Sequence, residues 1–137
     1  MNPQETDLIF FRGNIFLKNI DVHRPGQIRI LVFLESGFPK DHSKAIHSST
    51  VNPDKSEMII SVKVPSHQKF AIKVLHDEDM SVKVTKSWTG YLPKEGLDFS
   101  AGVTILGGVP TFRKAKIMFI ENEVIKVSMR YPGWLGI

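Results

Sequence analysis

Apolar and polar residues alternate regularly near the end of the chain, and this alternation most constrains the fold. The apolar set is Ile125, Val127, Met129 and Tyr131, and the intervening polar set is Lys126, Ser128 and Arg130. Because successive side chains of a β-strand point to opposite faces, the pattern predicts a half-buried antiparallel strand. Period-two alternation recurs along the chain, whereas the period of an amphipathic helix does not. We therefore expect a protein built from β-strands.

The segment before this strand alternates in the same way. Its apolar residues, Ala115, Ile117 and Phe119, would face the core. Its lysines, Lys114 and Lys116, would lie on the opposite face and point to solvent. The two segments meet near residues 121–123, where Asn122 tolerates the left-handed backbone that a tight turn needs. The sequence therefore predicts a hairpin at the C-terminal end.

Earlier apolar segments predict further strands, at residues 8–20, 27–34, 57–64 and 69–76, with a short one at 82–85. The first contains Gly13, which suggests a bulge or bend. The second is apolar at nearly every position except Arg29, so we expect it to be central. Residues 40–55 are polar and predict a loop with one helical turn around residues 44–47, and residues 85–109 predict a long loop.

About seven short strands separated by turn residues are typical of an antiparallel β-sandwich. The length of 137 residues favours one domain, covering residues 1–137. The absence of cysteine excludes disulfides, thiolate catalysis and cysteine-based metal sites. No enzyme motif with a defined nucleophile, phosphate loop or paired zinc histidines is present.

The charge pattern favours solubility over nucleic-acid binding. The 18 lysines and arginines exceed the 14 acidic residues, for a net charge of +4, but the cations stand singly along the predicted strands. No apolar run reaches the 18 or so residues that a membrane-spanning helix needs. The opening residues MNPQETD have neither the basic nor the apolar region of a signal peptide, which favours the cytoplasm.

Polar residues concentrate between His76 and Ser100, and several short motifs there carry a family resemblance. They are HDED at 76–79, PKEG at 93–96, LDFS at 97–100 and the P-x-F-x-x-A pattern at 110–115. With the segments at 26–29 and 37–39, they resemble the bacterial domain-of-unknown-function family 2141. The resemblance implies a sandwich of the transthyretin-like or immunoglobulin-like sort. It implies no activity, and relatives often look exported, unlike this sequence.

A cation site is the first interpretation of the HDED segment. Asp77, Asp79 and Ser81 have the alternate spacing of a calcium loop, but Val82 and Trp88 replace the required glycine and glutamate. We therefore expect no bound metal and no cofactor. His76 could bind a transition metal with a neighbouring carboxylate, but it shares a strand face with apolar residues, which favours a buried, hydrogen-bonded histidine.

The same region is the candidate ligand site. We predict a non-enzymatic binding module that recognises a protein or small ligand through residues at one end of the sandwich. These residues are His76, Asp77, Glu78, Asp79, Trp88, Tyr91, Lys94, Glu95, Phe99 and Ser100. The alternative function is a metal-dependent or carboxylate-based hydrolase that uses His76, Glu78 and Glu95. A third interpretation is a purely structural charge network.

The C-terminal residues are unusually apolar for a chain end. Trp134, Leu135 and Ile137 follow the last predicted strand. They either cover an open end of the core or bind a partner, because aromatic side chains are common anchors in interfaces.

Overall fold

Alternating segments form seven β-strands in the part of the chain that the structure describes. The structure, a computed structural model, describes residues 9–77, 96–103 and 110–131. The strands are β1 (Phe10–Lys18), β2 (Gln27–Phe33), β3 (His47–Val51), β4 (Met58–Pro65), β5 (Ala71–Asp77), β6 (Leu97–Phe99) and β7 (Val124–Ser128). Two 3-10 turns, His42–Lys44 and Ser100–Gly102, and a short helix α1 (Phe112–Ala115) connect them. None of the helices in these ranges is long and apolar enough to cross a membrane.

The strands form two sheets. One has three strands in the order β4-β1-β7, and the other has four in the order β3-β2-β5-β6. The β-rich, two-sheet fold with a central β2 is thus confirmed. The expectation of a wholly antiparallel fold is wrong, because β1 and β7 run parallel, with Leu17 beside Val127.

Apolar side chains from both sheets share one core. In β1, Ile15 and Leu17 are buried while Asn14 and Lys18 on the other face are exposed. The buried residues of this core are Ile15, Leu17, Ile20, Ile28, Ile30, Val32, Ile60, Val62, Val64, Phe70, Ile72, Val74, Val127 and Met129. The alternation seen in the sequence therefore sets the sandwich-like packing of the two sheets.

The four-stranded sheet also has a covered outer face. A second apolar cluster consists of Leu31, Phe33, Leu75, Leu97 and Phe99, and it packs against Phe38, Ala45 and Val103. Because both faces of this sheet are covered at its centre, β5 is buried at all seven of its positions.

The predicted C-terminal hairpin is wrong. The Thr111 side chain accepts a hydrogen bond from the Lys114 backbone N–H, so α1 forms where a strand was expected. Ile117 exchanges backbone hydrogen bonds of 2.9 and 2.7 Å with Phe70, not with β7. Alternation predicted which side chains are buried, but it does not specify the neighbouring strand. Asn122 does have the predicted left-handed backbone, with φ of 69°.

Three other expectations about local structure also need correction. The predicted loop at 40–55 contains edge strand β3, and its helical turn lies at His42–Lys44, capped by Asp41. The predicted long loop contains β6. Gly13 lies in unbroken strand pairing, and a Cβ there would be 3.2 Å from Val64, so close packing explains this glycine. The strand predicted at 82–85 lies outside the described residues.

Candidate functional site

The described members of the predicted site are buried and fall into two groups. His76 and Asp77 end β5, whereas Phe99 and Ser100 lie beside the beginning of that strand. Ser100 bonds to Ile72, four positions from His76 and therefore about 13 Å away along the strand. The other predicted residues lie outside the described ranges: Glu78, Asp79, Trp88, Tyr91, Lys94, Glu95, Trp134, Leu135 and Ile137.

His76 is fully buried and both of its ring nitrogens have hydrogen-bond partners. Its Nδ1 is 2.8 Å from the Tyr131 hydroxyl, and its Nε2 is 3.0 Å from the backbone oxygen of Pro25. Because a carbonyl oxygen only accepts, the network assigns the proton to Nε2, and Nδ1 accepts from Tyr131. The Tyr131 oxygen in turn accepts from the backbone N–H of Asp21 at 2.9 Å. The imidazole therefore holds three chain segments together.

Tyr131 also explains the glycine of the PKEG motif. A Cβ on Gly96 would lie 2.4 Å from the Tyr131 ring, so no larger residue fits without displacing that ring. The backbone N–H of His76 donates to the Gly96 oxygen at 2.9 Å. The Arg24 guanidinium lies over the Tyr131 ring, 4.5 Å from its centroid. Tyr131 thus fixes the end of β5 beside the residue that precedes β6.

Ser100 connects β5 to α1 inside the protein. Its Oγ accepts the Ile72 backbone N–H at 2.9 Å and donates to the Ala115 backbone oxygen at 2.6 Å. The side chain has no solvent exposure. Both polar atoms that it contacts would lack partners without it, so Ser100 has a structural role at this position.

Asp98 joins β6 to the C-terminal strand. Its Oδ2 accepts the Ser128 backbone N–H at 2.9 Å, and its Oδ1 pairs with Arg130. Burial raises the pKa of Asp98 to about 6, against the opposing effects of the Arg130 charge and the backbone hydrogen bonds. This carboxyl is 4 % exposed, and its contacts are internal.

Comparison with known proteins identifies the group to which this chain belongs. The model of a family described as an uncharacterized protein conserved in bacteria, domain-of-unknown-function family 2141, matches residues 17–128. The chain belongs to this family. No curated protein and no solved structure matches it.

Several motif residues that carry the likeness to family 2141 have internal contacts. Ser100 of LDFS bonds to Ala115 of the P-x-F-x-x-A pattern. Phe38, from the segment at 37–39, places its ring 5.8 Å from Phe99 and 6.3 Å from Phe112. Together they cover the outer face of the four-stranded sheet. In this chain, these motif residues of family 2141 contact one another inside the protein and stabilise its fold.

Sequence reasoning missed a surface groove in this family 2141 protein. We call it the β4 groove; its volume is about 630 Å³, and it is lined by Phe10, Phe11, Arg12, His47, Ser49, Ser61, Val62 and Lys63. These residues come from β1, β3 and β4, which are distant in sequence. No group of three or more His, Asp or Glu side chains placed to hold a metal ion occurs within the three described ranges.

Proposed function

We propose that the protein is a non-enzymatic binding module, which recognises a protein or small ligand through residues 78–95 and the sheet end that bears them. The observation that carries the proposal is the fixed junction between His76 and Gly96. The segment 78–95 therefore begins and ends beside the same end of the four-stranded sheet. Binding residues commonly lie on such connections.

The contacts of His76 favour this proposal over the hydrolase. A general base or metal ligand needs a ring nitrogen that faces substrate or metal. Both nitrogens of His76 bond to internal partners, Tyr131 and Pro25, and the ring is fully buried. The residue is therefore better suited to support a binding surface than to perform proton transfer.

We also propose that the sandwich is of the transthyretin-like type. In an immunoglobulin constant-type domain the first strand neighbours the second, and the orders are 1-2-5-4 and 3-6-7. Here β1 neighbours β4 and β7, and β2 lies in the other sheet. This order favours the transthyretin-like alternative that the family resemblance implies.

The binding proposal can be tested by substituting the carboxylates of residues 78–95 in one variant and the carboxylate of Asp77, at the end of β5, in another. The double variant Glu78→Gln/Glu95→Gln should melt like the wild type but lose ligands that the immobilised protein captures from its host extract. Asp77→Asn should instead lower the free energy of unfolding, because Asp77 is 2 % exposed and takes part in an interaction at the end of β5 that the substitution would weaken.

The matched control is Glu121→Gln/Glu123→Gln, which changes two exposed carboxylates before β7. Captured material is identified by mass spectrometry and compared between variants. If the 78/95 variant captures the same set as the wild type and the control, these carboxylates do not contribute to recognition. If it unfolds, their role is structural.

A further inference from the structure

The β4 groove brings together basic side chains from three strands, of which the arginine and the lysine are cationic at neutral pH. Arg12 on β1 is the direct cross-strand partner of Lys63 on β4. His47 on β3 lines the same groove, where burial and, to a smaller extent, the charge of Lys63 lower its pKa. Three basic groups therefore converge on one cavity.

Such an arrangement is unfavourable for the free protein. Like charges directly opposite each other on neighbouring strands destabilise a sheet. Among the described residues, no carboxylate forms an ion pair with Arg12 or Lys63. Glu121 and Glu123 line a neighbouring groove of about 410 Å³ that also includes Arg12, but they do not pair with it. A bound anion would relieve this repulsion.

The remaining walls of the β4 groove are apolar and hydroxylic. Phe10 and Phe11, at the beginning of β1, are 38 % and 40 % exposed, so both rings are accessible from solvent. Val62 forms the buried floor, and Ser49 adds a hydroxyl; the Ser61 hydroxyl donates to Asn14 at 2.8 Å. The volume is within the range of small-molecule sites.

We infer that the β4 groove binds a small ligand in which an anionic group, a carboxylate, sulfate or phosphate, is attached to an aromatic or apolar body. The anion lies between Arg12 and Lys63, and the apolar body contacts Phe10 and Phe11. The described lining of this groove shares no residue with the surface assigned under the proposed function, and either assignment can fail without the other.

The test is a titration of the full chain with phenyl phosphate, followed by NMR of the His47 ring and of the backbone amides that line the groove. Saturable shifts with a dissociation constant below about 10 mM are expected. Arg12→Gln and Lys63→Gln should each weaken binding about fivefold, the equivalent of roughly 1 kcal/mol. Both variants should melt no lower than the wild type, because each removes a like-charge contact.

The matched control is Lys126→Gln, which removes an exposed strand lysine that lines neither groove. It should bind phenyl phosphate within about twofold of the wild type. Equal weakening in all three variants, or shifts that do not saturate, would overturn the proposal in favour of non-specific charge attraction.

Two further titrations test separately whether the anionic group and the apolar body of the ligand are needed for binding. Benzyl alcohol, which lacks the anion, should produce no saturable shift, and sodium phosphate should bind more weakly than phenyl phosphate. Equal affinity for sodium phosphate would contradict the apolar part of the proposal. Groove shifts that appear on raising the protein concentration without any probe would instead identify a second copy of the chain as the occupant.

Discussion

The buried hydroxyl of Ser100 makes the sharpest prediction about stability. Ser100→Ala removes one oxygen and little volume, yet it deprives two buried backbone atoms of their partner. These are the Ile72 N–H, at 2.9 Å, and the Ala115 oxygen, at 2.6 Å. Each buried polar group left without a partner costs about 1–3 kcal/mol. We therefore expect a loss of about 2–4 kcal/mol in the free energy of unfolding, a large share of a typical domain's stability.

Denaturation by urea, followed by circular dichroism or tryptophan fluorescence, measures this loss. The urea concentration at the midpoint of unfolding should fall. The slope of the free energy of unfolding against urea concentration should stay the same, because the substitution leaves the surface area exposed on unfolding unchanged. The matched control is Ser48→Ala, since Ser48 is exposed on edge strand β3. That control should change the free energy of unfolding by no more than about 0.5 kcal/mol.

A loss below about 0.5 kcal/mol for Ser100→Ala would refute the reasoning, because it would mean that water or a shifted backbone replaces the hydroxyl without penalty. A loss of binding without a loss of stability would also refute it. In that case Ser100 would contact ligand, as the sequence alone predicted, and its internal hydrogen bonds would be incidental.

Two other predictions concern the segments around β6. The pKa of Asp98 is about 6 in the folded protein, above the ordinary value of 3.8. Between these pH values the folded protein therefore binds more protons than the unfolded chain, and its stability should fall as the pH rises from 3.8 to 6. The change amounts to about 3 kcal/mol, and Asp98→Asn should remove it; identical pH profiles in urea denaturation would contradict the raised pKa. Gly96→Ala should cost about 1–3 kcal/mol by overpacking against Tyr131, and thermal melts in a Tyr131→Leu background should show a smaller loss. An equal loss in both backgrounds would exclude the ring as the cause.

Apolar alternation predicted strand positions well but not strand partners. The segments that became β1, β2, β4 and β5 stand out by their apolar residues, and the central place of β2 follows from its burial on both faces. The neighbour of β7 could not be predicted, because the alternation that suits a hairpin suits a parallel pairing with β1 equally well. Strand β3 was missed because His47, Ser48 and Ser49 lack the apolar residues by which a strand is recognised.

The candidate sites show a similar limit. The motif segments around His76 and Ser100 suggested a functional site because polar residues are concentrated there. The structure shows that the polar atoms of both side chains form internal hydrogen bonds. The β4 groove was invisible in the sequence, because Arg12, His47 and Lys63 stand far apart and each resembles an ordinary solubilising residue. Only pairing of the strands places them in one cavity.

The parallel pairing of β1 with β7 affects how the protein is made. Asn14 to Lys18 lie beside Val124 to Ser128, so the earliest and latest of the described strands share a ladder. During synthesis about 100 further residues must be added after β1 before this neighbour emerges from the ribosome. Until then its open side can pair with strands of other nascent chains, which makes incomplete products prone to aggregate.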